Sequence, residues 1–430
     1  MSNDLFLSVG IDVGADFSFM SIALPNQSVV GKPFKITHAN LHSLERAINV
    51  IREAEQTYQL QSRILLESTG IYHYPVMNYF SGKGFRVSIV NPIITKSSSN
   101  ISIRKVHNDK FDSKKVALLG LKSDLKISVI PSDLVLNLRN LMREYYNLVD
   151  GRSAYINRLT TTLKTAFPQY IGIFSKLTVE TSLALLEKYA SPQAFLSARK
   201  SSIVKLIRST ARFGQAYAEA QYHKIIVASK DALVFGYAVP SNFELIRVYI
   251  SFIRKYNTEI DVVLKLIHKF VDDNSNEIFV RQIHLIDSIK GAGLLTAVTI
   301  MCEIGDFSVF KKPKQLFAYF GLDPSVRQSG NFTGTKGKMS KRGSPLARRA
   351  INTIATISIG KTKTGSLNNP VLRQYYDDKC KAKPKLVALG AVAHKVCNII
   401  FAVLRDNKSF TLISKDEHIK EYQRKFFELA

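Results

Sequence analysis

The sequence predicts an α/β domain at the N-terminus followed by a long, mainly α-helical remainder. Three observations carry this. Short apolar runs alternate with helical spacing up to about residue 125. Two later stretches keep apolar residues in steps of three and four. From about Leu285 a glycine turn separates two further helical patterns.

Taken in order, Leu5 to Val13 is an apolar run that ends near Asp12 and Gly14, and Phe17 to Leu24 predicts a second strand. Leu41, Leu44, Ile48 and Ile51 predict a helix to Gln56. Arg63 to Glu67 reads as the third strand, Tyr72 to Phe80 as a helix ended by Gly82 and Gly84, and Phe85 to Val90 as a further strand closed by Asn91-Pro92. A helix then runs from Lys114 to Leu121. In the middle, Leu134, Leu138, Leu141, Tyr145 and Leu148 form one apolar seam. Ile246, Tyr249, Ile253, Tyr256, Ile260, Val263, Ile267 and Phe270 form a longer one, a pattern of coiled-coil pairs or of helices buried within one subunit. Leu177 to Ser229 is a separate helical block. Gly291-Ala-Gly293 caps and turns the chain between helices, Gly321 to Gly343 is a polar, glycine-dotted basic loop, and Pro345 to Ile359 is helical.

Composition narrows the partner. In 430 residues there are 60 Lys and Arg against 34 Asp and Glu, a net charge of +26. So large a surplus points to a polyanion, because phosphates attract basic side chains and release counterions. The charge is also uneven: Lys311 to Asp406 holds 19 Lys/Arg against four Asp/Glu. Cys302, Cys380 and Cys397 show neither zinc-ligand spacing nor a disulfide framework. The segment Leu386 to Leu404 is the most apolar, yet His394 and Lys395 sit at its centre, and a central Lys costs roughly 2.5–3.5 kcal/mol on insertion. It is expected to be a buried helix. With no recognisable signal peptide, the chain is expected to be cytoplasmic, with no membrane partner.

Four acids stand out. Asp12 and Glu67 each end an apolar strand, where a carboxylate is costly unless paired or bound to a metal. Asp109 and Asp112 are three apart, so one helical turn places both on one face. Singly, each has an ordinary explanation as a cap or an ion-pair partner. Together, on so basic a chain, they suit Mg²⁺ or Mn²⁺, hard cations that take oxygen ligands and serve phosphoryl transfer.

At this point the sequence resembles the DEDD transposases of the insertion sequence one-ten family, which includes the pilin-gene invertase. The acids fall in the family's order: Gly10-Ile-Asp12-Val, Glu67-Ser-Thr69-Gly70-Ile-Tyr72, Asn91-Pro92 and Asp109-Lys-Phe-Asp112. The later half carries Gly291-Ala-Gly293, Glu303-Ile-Gly305-Asp306, Phe317-Ala-Tyr-Phe-Gly321-Leu-Asp-Pro324, Gln328-Ser329-Gly330 and Ser340-Lys341-Arg342-Gly343, then Leu346-Ala-Arg348-Arg349-Ala350. His107-Asn108, Ser113 and Gly14-Ala15 depart from the usual pattern while leaving all four acids in place.

The resemblance implies an RNase H-like, RuvC-like catalytic domain over residues 1–128, a helical coiled-coil oligomerisation region over 129–282, and a mainly α-helical transposase domain over 283–430. It implies Mg²⁺ at Asp12, Glu67, Asp109 and Asp112, a nucleophile at Ser329, and a bridge RNA that pairs with donor and target DNA. It also implies a homo-oligomer, a dimer that assembles to a tetramer. Read without the resemblance, the basic loop leaves Ser325, Ser329, Ser340 and Ser344 all open as nucleophiles. Lys336, Lys338, Lys341, Arg342, Arg348 and Arg349 are expected to form a phosphate-contacting surface beside Ser329.

The rival readings are weaker. A sugar-kinase or actin-like ATPase also begins with a hairpin such as Gly10-Ile-Asp12-Val-Gly14, but needs a second Asp-X-Gly hairpin and a glycine-rich adenosine loop, neither of which is found. A metal-dependent Holliday-junction nuclease would share the acids without serine chemistry. A non-catalytic nucleic-acid binder would have no need of all four.

Overall fold

In the computed structural model, the run Leu7–Val13 becomes β1, the central strand of a five-stranded sheet. The structure describes residues 5–67, 70–90, 108–122, 131–324, 328–329, 332–333, 339–413 and 417. It divides into two compact units, Met1–Ser132 and Asp133–Ala430.

In the first unit the strands are β1, β2 (Phe17–Ala23), β3 (Val29–Thr37), β4 (Ser62–Glu67) and β5 (Arg86–Val90), in the spatial order β3-β2-β1-β4-β5. The first three pair antiparallel, whereas β4 and β5 run parallel to β1. Side chains alternate across a strand, so β1 serves two faces. Leu7, Val9, Ile11 and Val13 join one core with Ile64 and Leu66 of β4. The same core takes Leu44 and Ile51 from α1 (Leu41–Tyr58) and Val76 and Phe80 from α2 (His73–Gly82). On the opposite face Ser8 and Gly10 receive α3 (Asp109–Gly120). There Leu65 and Val90 of the sheet pack with Val116 and Leu119.

Two features differ from the sequence expectation. Val29–Thr37 is a strand that was not anticipated. Gly31 and Pro33 interrupt its pattern and much of it is exposed, which a sheet edge tolerates because an edge strand has one side free of ladder bonds. The helix expected from Lys114 starts instead at Asp109, because the Asn108 side chain caps it by accepting from the Lys110 N–H at 3.1 Å.

The second unit hangs on two 34-residue helices, α4 (Asp133–Ala166) and α9 (Pro240–Asp273). They run antiparallel. Arg152 donates to Asn257 at 2.8 Å, Tyr155 stacks on Phe252 at 4.4 Å, and the Tyr237 N–H bonds the Thr165 carbonyl at 3.0 Å. One end of the pair puts Leu159, Leu163, Ile246 and Ile250 into a core built with α5 (Glu180–Tyr189), α6 (Pro192–Ser197), α7 (Lys200–Thr210) and α8 (Gln215–Val234). The other end puts Leu138, Met142, Val263 and Ile267 into a second core. That core belongs to α10 (Ile278–Asp287), α11 (Leu294–Ile304), α12 (Pro313–Tyr319), α13 (Pro345–Ser358), α14 (Pro370–Cys380) and α15 (Lys385–Asp406). By length and composition α15 could cross a membrane. Here Val392, Val396, Ile400 and Phe401 pack inside the core, and His394 sits against the Phe317 ring at 4.4 Å.

The seat of α3 on β1 gives a test. A Cβ at Gly10 would lie 2.6 Å from the Ala117 Cα, inside the helix backbone, whereas one at Gly82 meets nothing within 4 Å. Gly10→Ala is expected to lower the unfolding free energy by roughly 1–3 kcal/mol, the range for overpacking, with Gly82→Ala close to neutral. Denaturant midpoints of the two variants compare them directly, and equal midpoints would contradict this packing.

Candidate active site

Strand parity brings the acids together. Ile11 pairs with Leu66, so Asp12 and Glu67 follow at the same level on adjacent parallel strands. Both stand on the face opposite the Ile11/Leu66 core, the face that α3 covers. Helix α3 begins there with Asp109 and Asp112 in its first turn. Asp12, Glu67, Asp109 and Asp112 all line one cleft of ≈ 300 Å³, walled by Phe17 and Phe19 of β2.

The electrostatics record this convergence. Burial pushes the Asp12 carboxyl up to about 7, and the charges of Glu67, Asp112 and Asp109 push the same way, against the pull of Lys115. Lys115 was not singled out from the sequence. Its ammonium lies 2.7 Å from the Asp112 carboxylate, one helical turn along, and 4.7 Å from the centre of the Phe111 ring. The i, i+3 spacing of Asp112 and Lys115 was the available signal. Below the acids, Ser113 is buried and shares a hydrogen bond of 2.8 Å with Ser21 of β2. The pair ties α3 to the strand beside Gly10.

Four carboxylates against Lys115, with Lys110 over the Phe19 wall, leave this cleft with an excess of negative charge, and the carboxylates offer oxygen donors that suit a hard divalent cation. Among the described residues no three His, Cys, Asp or Glu side chains close around one point as a finished cage. The acids instead border an open cleft into which a cation and a phosphate could enter together.

Ser329 belongs to the second unit, in β6 (Gln328–Ser329), which pairs with β7 (Phe332–Thr333). Ser329 is the partner of Phe332. The stretch expected as a loop therefore contains a short hairpin. Its base is clamped where the Ser340 N–H bonds the Asp323 carbonyl at 2.8 Å and the Lys341 N–H bonds that of Gly321 at 3.0 Å. The Ser340 hydroxyl also donates to the Asp323 carboxylate at 2.5 Å. Gly321 has φ +66, and a Cβ there would lie 2.6 Å from the Arg342 nitrogen, so the clamp needs a glycine.

The expected basic residues divide. Lys341 and Arg342 are exposed. Arg348 donates to the carbonyls of Phe320 and Gly343 at 3.1 and 2.6 Å, so it holds the clamp. Arg349 is paired with Asp150 at 2.9 Å and lies over the Tyr146 ring at 4.6 Å, which fastens α13 to α4. Lys336 and Lys338 lie outside the described residues.

Comparison with known proteins agrees with this arrangement. Residues 9–168, the span of the four acids, match a DEDD model described as transposase of the IS110 type. Residues 283–377, the span of Ser329, match the model described as the transposase IS116/IS110/IS902 family. The chain is 25% identical over 229 residues to an uncharacterized 43.6 kDa protein of insertion element IS110 from Streptomyces coelicolor, covering 52% of this chain and 51% of that protein. To an uncharacterized 44.8 kDa protein of insertion element IS116 from Streptomyces clavuligerus it is 23% identical over 287 residues, covering 65% of this chain and 66% of that one. A pilin gene-inverting protein of Moraxella bovis is 29% identical over 130 residues, covering 29% of this chain and 38% of its own length. The matched region thus spans between half and two thirds of the two insertion-element relatives.

The raised Asp12 carboxyl has a pH signature. Between about pH 4 and pH 7 the folded chain keeps a proton that the unfolded chain gives up, so this group's contribution to stability falls as the pH rises through that window. With metal chelated, Asp12→Asn is expected to unfold at a higher temperature than the parent at about pH 8, with the gap narrowing towards about pH 4. Thermal unfolding at both pH values measures the gap. A gap of the same size at both would contradict the crowding of charge around Asp12.

Proposed function

Because the chain belongs to the IS110 family of DEDD transposases, we propose that it cuts and rejoins DNA as the transposase of an insertion sequence, through a covalent serine intermediate. The convergence of Asp12, Glu67, Asp109 and Asp112 on one cleft carries this reading. The strand order β3-β2-β1-β4-β5, with three antiparallel strands followed by two parallel ones, supports an RNase H-like, RuvC-like catalytic domain. A decayed binding protein would have no reason to keep four mutually repelling carboxylates together, since each unpaired one costs stability.

Asp12, Glu67, Asp109 and Asp112 would hold Mg²⁺ or Mn²⁺. When bound, the metal supplies positive charge that lowers the pKa of a coordinated hydroxyl and neutralises charge developing on a phosphate. Lys115 keeps Asp112 oriented by its ion pair. Ser329 Oγ attacks the DNA phosphorus; the Oγ–P bond forms as the P–O bond to one sugar breaks, and the hydroxyl proton ends on the departing sugar oxygen. The phosphoserine ester keeps the energy of the phosphodiester, so reversal of the same step onto a different sugar hydroxyl rejoins the DNA without ATP. The acids and the serine lie in different units of the chain. We propose that cleavage waits for the full nucleic-acid assembly. We place a bridge RNA pairing with donor and target DNA, and a dimer joining into a tetramer, in that assembly. Among the described residues, Lys341 and Arg342 are exposed cations next to the hairpin clamp that are available to its phosphates, and the reaction takes place on cytoplasmic DNA.

The alternative is a metal-dependent junction nuclease in which water, not serine, attacks. A denaturing trap with end-labelled donor DNA separates the two. The wild-type chain should give DNA-linked protein, and Ser329→Ala should give none, with recombination lowered by at least about a thousand-fold, as for loss of other covalent nucleophiles. Recombination by Ser329→Ala at a rate near that of wild type, with no adduct in either protein, would establish the nuclease instead.

A further inference from the structure

The first four-helix core carries a charged corner that the strand chemistry does not use. Between Glu187 and Glu219 the chain has six cations, Lys188, Arg199, Lys200, Lys205, Arg208 and Arg212, and no acid. Helix α7 turns Ile203, Val204 and Ile207 inward and leaves Lys205 and Arg208 exposed, with Arg212 following them in the turn to α8. An open cleft of ≈ 880 Å³ lies at this corner, bordered by Ser201, Lys205, Arg208, Ser209, Arg212 and Phe213. It is larger than the carboxylate cleft and has the opposite charge.

These cations are poorly compensated from within the chain. Lys200 lies 3.6 Å from Glu219, but Arg208 donates only to the neutral Gln215 amide, at 3.1 Å. Lys205 and Arg212 make no ion pair among the described residues. A solvated basic face would look the same thus far. The distinguishing feature is aromatic. Phe213 packs partly into the core and stacks on Tyr217 with centroids 4.4 Å apart and planes 28° apart, while Tyr217 stays 39% exposed. The phenol ring thus lies on Phe213, which itself borders the cationic cleft. Cations that follow a backbone beside an aromatic face on which a base can lie are the elements that bind single-stranded nucleic acid. An apolar ligand would not need the charge, and a duplex, with its bases already stacked, would leave Tyr217 unused.

We propose that the α7–α8 corner is a binding site for single-stranded nucleic acid, in which Lys205, Arg208 and Arg212 contact backbone phosphates and one base stacks on Tyr217. This inference does not depend on the serine chemistry, so either can fail without the other. The chain contains no tryptophan, which allows a local probe. In the full-length protein, Tyr217→Trp introduces a single indole whose fluorescence a stacked base quenches. Titration with a 20-nucleotide oligo(dT), an oligo(rU) of equal length and a 20-base-pair duplex is expected to give saturable quenching by the single strands and little by the duplex. The tighter of the two single strands identifies whether DNA or RNA occupies the corner.

Adding Lys205→Gln, Arg208→Gln and Arg212→Gln together should weaken the binding read from the quenching by about ten-fold or more. It should also reduce the slope of log K against log salt by about 2, as for three phosphate contacts on a single strand. Tyr217→Ala should weaken single-strand affinity about ten-fold with that slope unchanged. Lys205→Arg and Arg208→Lys, which keep the charge, should retain quenching and so separate loss of contacts from misfolding. Absence of quenching by both single strands, equal quenching by the duplex, or an affinity undiminished by the triple substitution would each overturn the proposal.

Discussion

The first unit depends on how closely α3 sits against the sheet. Gly10 of β1 has no Cβ, so the backbones of helix and strand approach within a distance that any side chain there would prevent, and Gly120 of α3 lies against the Ser8 side chain of the same strand. That approach sets where the first turn of α3 falls, and with it the positions of Asp109 and Asp112 relative to Asp12 and Glu67. The buried Ser21–Ser113 bond at 2.8 Å fixes the helix along the strand. The arrangement is costly by itself: burial and gathered like charges, only partly offset by Lys115, drive the Asp12 carboxyl up to about 7. Apolar packing of α1, α2 and α3 holds the acids in a position that their own charges oppose. A site of this kind is complete only when a counter-charge arrives.

The second unit obeys a different constraint. Its two 34-residue helices each present one apolar stripe, and the stripes continue past the helix–helix contact into two separate cores. The heptad spacing of Ile246 to Phe270 is therefore satisfied within one chain, with Ile253 in one core and Ile267 in the other. The serine hairpin hangs from the C-terminal core by the Gly321–Lys341 and Asp323–Ser340 bonds, which hold its two ends together. Arg348 secures that clamp from α13 through the carbonyls of Phe320 and Gly343.

Much of this was legible in the sequence where a single periodicity dominated. Strands β1, β2, β4 and β5 and helices α1 and α2 were readable because burial on the core face imposes an unbroken pattern on Leu7–Val13, Ser62–Glu67 and Leu41–Tyr58. Strand β3 was not, because an edge strand with Gly31 and Pro33 is only weakly constrained by a core. Asp12 and Glu67 were conspicuous because a charge at the end of an apolar strand contradicts its surroundings. That the two stand side by side was not readable, since the parallel register of β1 with β4 is set by the whole sheet. Lys115 escaped notice as one of many lysines on a basic chain, and the basic residues near Ser329 could not be sorted by sequence. Only the fold reveals that Arg348 and Arg349 hold structure while Lys341 and Arg342 remain exposed.

Asp12, Glu67, Asp109 and Asp112 should act as one cation site rather than as four separate surface acids. Calorimetric titration of the metal-free protein with Mn²⁺ tests it most directly. Saturable binding is expected, with a marked loss of affinity in Asp12→Asn, Glu67→Gln and Asp112→Asn alike, because each removes a carboxylate from the same cleft. Undiminished binding in any of these variants, or no saturable binding in the parent chain, would contradict it.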